Sequence, residues 1–285
     1  MSPTPFGDRL HDQIEARGRL CAGIDPHPAL MDAWGMTDSA VGLERFAMTA
    51  VEALAGTVTV VKPQSAFFER HGSAGIAVLE KVVTACRDLG TLVLLDVKRG
   101  DIGSTAQAYA DAYLAPTSPL AGDAVTVSPY LGMGSLDPFL DTAAQHGGGV
   151  FVLALTSNPE GPQFQHARVG PDGPNGAGRT VAGTVLDAVR RRNAGVGPGG
   201  LGSVGAVVGA TIGETDEDLD VAGPLLVPGI GAQGGSVADV RRIFGPAARL
   251  VLPSSSREIL GAGPDKHALR DAALRAADAF ADLAV

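Results

Sequence analysis

The sequence predicts a (β/α)8 TIM barrel, with residues 1–285 forming a single domain. Eight short apolar runs recur along the chain. They are continuous rather than alternating, as parallel strands buried on both faces require. Helical patterns stand between them. An open, doubly wound sheet is the rival arrangement of the same elements.

The stripe Phe6, Leu10 and Ile14 steps by four and stops at Gly18, which predicts a helix before the first strand, Leu20–Ile24. Leu43, Phe46, Ala50, Val51 and Leu54 form a second stripe, ended by Gly56 ahead of the strand Thr57–Lys62. Ile76, Leu79, Val83 and Cys86 repeat the pattern before Gly90 and the strand Thr91–Lys98. The strand Ala124–Ser128 is followed by Ser135 and Pro138, a helix start, and then by the strand Gly149–Thr156. Asn158–Gly178 and Gly195–Gly202 are rich in Gly and Pro. They read as loops on either side of a helix at Thr180–Arg192, not as a domain boundary. The strands Val204–Gly209 and Leu225–Pro228 come next, and Ser236 caps a helix running through Val240 and Phe244. The strand Arg249–Pro253 and a helix over Ala268–Leu283 complete the pattern.

A hydrophobic content of 45% leaves ample core for one large domain. The net charge of −9 argues against nucleic acid or an anionic membrane as partner, but a few local Arg and Lys residues suffice for a small anion. Cys21 and Cys86 sit in apolar periodic segments and read as core residues, not a disulfide framework. Met1 to Arg17 carries no apolar signal core and no span reaches transmembrane length, so a cytoplasmic location is expected.

In a barrel the chemistry sits at the C-terminal ends of the strands. Asp25, followed by Pro26-His27-Pro28, ends the first strand and Lys62 ends the second. The third ends in Asp96 and Lys98, with Asp101 just beyond. Asp96 and Lys98 are two apart, so on a regular strand they share a face. Thr156-Ser157-Asn158-Pro159 ends the fifth, and Ser254-Ser255-Ser256-Arg257 follows the eighth. Singly, each has a bland reading: a strand-end Asp is often a cap, and Lys62 before Pro63 could snorkel. Together, charges this costly to bury converge on one mouth and read as a catalytic site.

Gly229-x-Gly231-x-x-Gly234 follows a strand and precedes the helix at Ser236. Glycine backbone N–H groups and a helix N-terminus favour an anion, and barrels often bind phosphate with the loops after strands 7 and 8. Arg257 in the next loop can add a bidentate clamp. A dinucleotide fold lacks its acid at the end of the following strand, and the similar Gly200-x-Gly202-x-x-Gly205 precedes a strand. There is no Walker A motif and no Gly-x-Ser-x-Gly elbow, and the six histidines show no pair at metal-ligand spacing. Arg190-Arg191-Arg192 reads as a solvated helix end, where positive charge suits the dipole.

Asp96-x-Lys98-x-x-Asp101-Ile102-x-x-Thr105, with Lys62 on the preceding strand, resembles the orotidine 5′-phosphate decarboxylase family. The likeness runs from about Leu20 to Leu260 and takes in Asp25, Thr156-Ser157-Asn158-Pro159, Pro228 through Gly235, and Ser256-Arg257. Ser128-Pro129-Tyr130-Leu131-Gly132 and the long loop after strand 5 look like its longer bacterial (type 2) branch. The resemblance implies decarboxylation of orotidine 5′-phosphate to uridine 5′-phosphate, the last step of UMP biosynthesis, with no metal or organic cofactor. Lys62, Asp96, Lys98 and Asp101 would form an alternating charged array in which Asp96 faces the substrate carboxylate and Lys98 protonates C6. Lys62 would hold Asp96 and a ribose hydroxyl, Asp25 would bind ribose, and Ser157 would contact the pyrimidine. Gln233, the Gly234-Gly235 backbone and Arg257 would grip the phosphate. Asp101 and Thr105 would reach into a neighbouring subunit's site, making the active unit a homodimer.

Sugar-phosphate decarboxylases and aldolases of the same superfamily share Asp-x-Lys-x-x-Asp but use a divalent metal and carry an acid at the position of Lys62. Lys62 and the Ile102-to-Thr105 match favour the pyrimidine enzyme. A different class of reading is a non-catalytic phosphate-binding barrel acting as a regulator, which would not need all four charged positions.

Overall fold

A computed structural model describes residues 3–170, 178–231 and 234–283. Eight parallel strands close into a barrel in sequence order: β1 (Cys21–Ile24), β2 (Val60–Pro63), β3 (Leu92–Arg99), β4 (Ala124–Val127), β5 (Gly149–Leu155), β6 (Val204–Val208), β7 (Leu225–Pro228) and β8 (Val251–Ser255). Cys21 and Ala22 pair back onto Ser254 and Ser255, which closes the ring and excludes the open sheet. Every strand predicted from the apolar runs is present. β8 starts two residues later than expected, because Arg249 and Leu250 belong to a 3-10 turn, so Ser254 and Ser255 lie within the strand.

Helix α1 (Phe6–Arg17) precedes β1, and α2 (Pro28–Ala33) and α3 (Ala40–Leu54) follow it. Next come α4 (Ala66–Glu69) and α5 (Gly72–Asp88) after β2, α6 (Gly103–Leu114) after β3 and α7 (Asp137–His146) after β4. The chain continues with α8 (Pro162–Gln165) and α9 (Val181–Arg192) after β5, α10 (Val237–Phe244) after β7, and α11 (Arg257–Leu260) and α12 (Lys266–Asp278) after β8. Ser236 caps α10 as expected, in a reciprocal capping box with Asp239. Two features depart from the sequence pattern. Helix α6 has no bulky stripe to announce it, since its buried residues include Ala106 and Ala110 beside Tyr113 and Leu114. The β6–β7 link carries no helix, in keeping with its acidic run Glu214-Thr215-Asp216-Glu217-Asp218 and with Gly213 and Pro224.

Two apolar layers hold the fold. The outward faces of the strands pack against the helices, in a core that includes Trp34 stacked on Phe46. The inward faces build a second core from Cys21, Val60, Leu92, Leu94, Ala124, Phe151, Val207, Leu226 and Leu252. Helix α1 plugs its lower end with Phe6 and Leu10, and Phe6 meets Phe151 edge to face at 5.9 Å. Gly205 makes room for this cluster, because a Cβ there would lie 2.7 Å from the Phe151 ring. Both cysteines are buried and free, and burial pushes the Cys21 thiol up to about 12, so it is no nucleophile at neutral pH. No helix among the described residues is long and apolar enough to cross a membrane.

Phe6 is buried within that plug. Phe6→Ala is expected to destabilise the protein by about 3–5 kcal/mol in urea unfolding, the usual cost of emptying a packed phenylalanine site. A loss below about 1 kcal/mol would show that α1 does not close the barrel.

Candidate active site

The site follows from strand periodicity. Inward residues recur every second position. One step above the apolar plug, β2 presents Lys62 over Val60 and β3 presents Asp96 over Leu94. Thr126 stands over Ala124 on β4, Leu153 over Phe151 on β5, and Ser254 over Leu252 on β8. Charge is thus stacked on an apolar floor at the C-terminal mouth. These residues line a cavity of about 480 Å³ together with Asp25, His27, Gln64, Lys98, Thr156, Asn158, Gly229, Ile230, Ser256 and Arg257. That volume suits a ligand of nucleotide size.

Asp96 is the hub. Only 7% of it is exposed, and Lys62 beside it is 5% exposed. Lys62 Nζ donates to Asp96 Oδ2 at 2.9 Å, and Lys98 Nζ donates to Oδ1 at 2.6 Å. The Thr126 hydroxyl also donates to Oδ1, at 2.8 Å. On its other side, Lys62 Nζ lies 4.0 Å from Asp25 Oδ1. Burial disfavours the charge on Asp96, but Lys62 and then Lys98 outweigh it and hold the carboxyl well below the usual carboxylate range. Burial likewise opposes the Lys62 ammonium, and the carboxylates of Asp96 and Asp25 outweigh that and raise its pKa. Asp96 and Lys62 are therefore both charged at neutral pH.

Asp25, Lys62, Asp96, Lys98 and Arg257 are brought together as the sequence predicts. Asp25 Oδ1 is buried with no hydrogen-bond partner among the described residues. Arg257 is exposed and lines the same cavity.

Other expected residues are placed differently. Ser157 is exposed and its hydroxyl packs against Gly209, while Thr156 and Asn158 line the cavity. The cause is a register shift between Leu153 and Leu155, which exchanges the faces at the end of β5. The expected Gly234 and Gly235 backbone donors are also engaged within their own loop: Gly234 N–H donates to Gly231 O at 2.7 Å and Gly235 N–H to Gly229 O at 3.0 Å. A tight turn uses these amides, and the cavity is lined by Gly229 and Ile230 instead. Gln233 lies outside the described residues. Asp101 and Thr105 do not line the cavity of their own chain: Asp101 Oδ1 accepts from the Ile102 N–H at 2.8 Å, and Thr105 is exposed on α6.

Sequence reasoning missed Thr126, whose signal was a lone polar residue at an inward position of β4. It also missed Gln165 of α8. This side chain clamps Thr156 twice, accepting from its N–H at 2.9 Å and donating to its hydroxyl at 2.7 Å. The long loop after β5 is thereby tied to the cavity wall. Among the described residues no group of three or more His, Cys, Asp or Glu side chains is placed to hold a metal ion.

A closed barrel whose C-terminal mouth carries an ion array and an arginine in one cavity defines a class: barrel enzymes acting on phosphorylated small molecules. Residues 18–272 match the Orotidine 5'-phosphate decarboxylase / HUMPS family, and the chain belongs to it. A relative from Nocardioides sp. named orotidine 5′-phosphate decarboxylase is 65% identical over 96% of this chain and 98% of its own. One of the same name from Streptomyces coelicolor is 56% identical over 95% of each chain. A crystal structure from Streptomyces avermitilis superposes with a TM-score of 0.94 at 55% identity, covering 100% of this chain and 97% of that one. The Leishmania donovani OMP decarboxylase structure gives a TM-score of 0.74 at 30% identity, covering 99% and 100%.

Asp96→Asn leaves two ammonium groups facing each other, and is expected to cost about 3 kcal/mol at pH 7 in urea unfolding. The sign of its pH dependence follows from the lowered carboxyl pKa. Asp96 contributes stability above the unfolded value of about 3.9, and loses it as pH falls through the folded value. The gap between wild type and variant is therefore expected to narrow below about pH 4. A gap constant with pH would contradict the ion array.

Proposed function

We propose that this chain decarboxylates orotidine 5′-phosphate to uridine 5′-phosphate and CO2, the last step of UMP biosynthesis. The observation that carries the reading is the Lys62–Asp96–Lys98 array, in a chain of this family, with Arg257 lining the same cavity. Loss of CO2 leaves a carbanion at C6 with little resonance help. An ammonium fixed beside that carbon stabilises the developing charge and then supplies the proton, which is the role of Lys98. Asp96 lies against the substrate carboxylate, so the two negative charges separate as CO2 departs. Lys62 holds Asp96 and meets a ribose hydroxyl. Asp25, with a buried acceptor left unpaired, suits a second ribose hydroxyl. The charge and the proton both come from Lys98, so no metal or organic cofactor enters this chemistry.

Arg257 clamps the phosphate, with Gln233, Gly234 and Gly235 in the adjoining loop. In the closed loop the engaged glycine amides would have to exchange their turn for the anion. The pyrimidine is met at the end of β5, where Ser157 stands between the two residues that face the cavity, Thr156 and Asn158. A slow reaction demands a barrier reduction toward the top of the range of roughly 8–23 kcal/mol. A few charges at the reacting carbon do not supply that, so phosphate binding far from C6 must contribute.

The active unit is a homodimer in this reading. Asp101 and Thr105 do not line the cavity of their own chain, and Ile102 (63%) and Tyr130 (75%) are exposed. Tyr130 packs edge to face on the exposed Phe164 at 5.7 Å, which extends the apolar surface. A second copy covers it and receives Asp101 and Thr105 in its own site. The metal-dependent sugar-phosphate reading is disfavoured by the Lys62 ammonium, which stands between Asp25 and Asp96. The same ionic balance gives no support to nucleic acid or membrane as partner, since the net charge is −9.

Orotidine 5′-phosphate absorbance is expected to fall on adding the protein, equally with and without EDTA. No turnover at micromolar enzyme would overturn the reading, and EDTA sensitivity would return it to the metal-dependent relatives. Arg257→Ala should lower kcat/KM by several powers of ten, and an unchanged value would remove Arg257 from the phosphate site. The shared site has its own test. Lys98→Ala and Asp101→Ala are each expected to be inactive, and mixing them should restore about one quarter of wild-type activity, through hybrid dimers with one intact site. No recovery on mixing would place Asp101 outside the neighbouring site.

A further inference from the structure

Thr126 has no part in the chemistry described above, and its surroundings give it one. Strands β3 and β4 pair regularly at Leu94–Ala124 and Leu95–Val125, and pairing resumes at Arg99–Val127. Asp96, Val97 and Lys98 on one strand therefore stand opposite Thr126 alone on the other. This bulge leaves the Val97 and Lys98 amides without ladder partners, and both donate to Thr126 Oγ1 at 3.0 Å. The same hydroxyl gives its own proton to Asp96 Oδ1 at 2.8 Å. A hydroxyl has one donor and two acceptor sites, and all three are in use. Thr126 is 1% exposed.

The bulge also sets the lysine. Lys98 adopts φ +46°, a left-handed conformation that a residue with a side chain adopts only when its surroundings impose it. From there Nζ reaches back to Asp96 Oδ1, the oxygen that Thr126 holds. One buried hydroxyl thus fixes the backbone of the proton donor and the rotamer of the carboxylate beside it.

We propose that Thr126 is the positioning residue for the Asp96–Lys98 pair, holding the β3 bulge so that Lys98 stands where C6 is protonated. The proposal rests on the decarboxylase reading above. Thr126 acts through the pair and leaves the phosphate end of the site untouched, so it bears on kcat rather than on KM. Misplacing a reacting group by about 1 Å can cost about 100-fold in rate.

The test compares Thr126→Val, which keeps the shape and removes the hydroxyl, with Thr126→Ser, which keeps the hydroxyl and removes a methyl. Thr126→Val is expected to lower kcat by about 100-fold with KM within about threefold, and Thr126→Ser to keep kcat within about threefold of wild type. Amide hydrogen exchange by NMR supplies a readout independent of activity: Val97 and Lys98 amides are protected in the wild type and in Thr126→Ser, and exchange rapidly in Thr126→Val. Wild-type kcat in Thr126→Val overturns the proposal. So does equal loss in the serine variant, which would assign the effect to methyl packing. Should Thr126→Val fail to fold, the serine variant and the wild-type amides decide: unprotected Val97 and Lys98 amides in the wild type overturn the proposal outright. A wild type that does not turn over orotidine 5′-phosphate is a failure of the decarboxylase reading instead, and the exchange measurement still judges the bulge.

Discussion

The structure turns on one buried carboxylate. Asp96 is held at once by Lys62, Lys98 and the Thr126 hydroxyl. An isolated carboxylate at this depth would be very costly to keep ionised, and the buried Lys62 ammonium would be as costly on its own. Each charge is tolerable only because the others are in place. That mutual dependence means the array is assembled as a unit or not at all, and it explains why three different strands must meet here in fixed register.

The barrel provides that register. Its inward faces form a dry plug of Val60, Leu94, Phe151, Leu226 and their neighbours, sealed below by α1. The next residue inward on β2, β3, β4 and β8 is polar or charged, so the active-site floor is simply the layer above the plug. A low-dielectric floor strengthens every charge interaction above it. It also offers an apolar surface, with Leu153, Val207 and Leu226 lining the cavity. The rim is built differently: Arg257, at the start of α11, and Gly231 and Gly234 are exposed.

Much of this was legible in the sequence, and the failures share a physical cause. The strands showed because continuous apolar runs of this kind suit only doubly buried strands. The ion array showed because Lys62, Asp96 and Lys98 interrupt those runs at their C-terminal ends. Helix α6 stayed hidden because it packs with alanines, whose small apolar surface leaves little periodic signal. The family resemblance put Ser157 at the ligand, whereas a register shift at Leu153–Leu155 brings Thr156 and Asn158 to the cavity wall, a shift against a neighbouring strand that a motif does not encode. The glycine loop has the composition of an anion cradle, yet whether its amides are free depends on bonds such as Gly235 N–H to Gly229 O that composition does not specify. Thr126 was missed for a related reason: threonine is common in strands, and its importance comes from a bulge on the neighbouring strand.

The central claim is that the Lys98 ammonium, set by Asp96, exchanges a proton with C6 of the pyrimidine. Proton transfer follows the same route in both directions, so the product itself reports on it. Uridine 5′-phosphate incubated with the wild-type protein in D2O should lose its C6 proton signal by 1H NMR, while Lys98→Ala leaves that signal unchanged. Equal exchange in the two proteins, or none in an active wild type, would contradict the account.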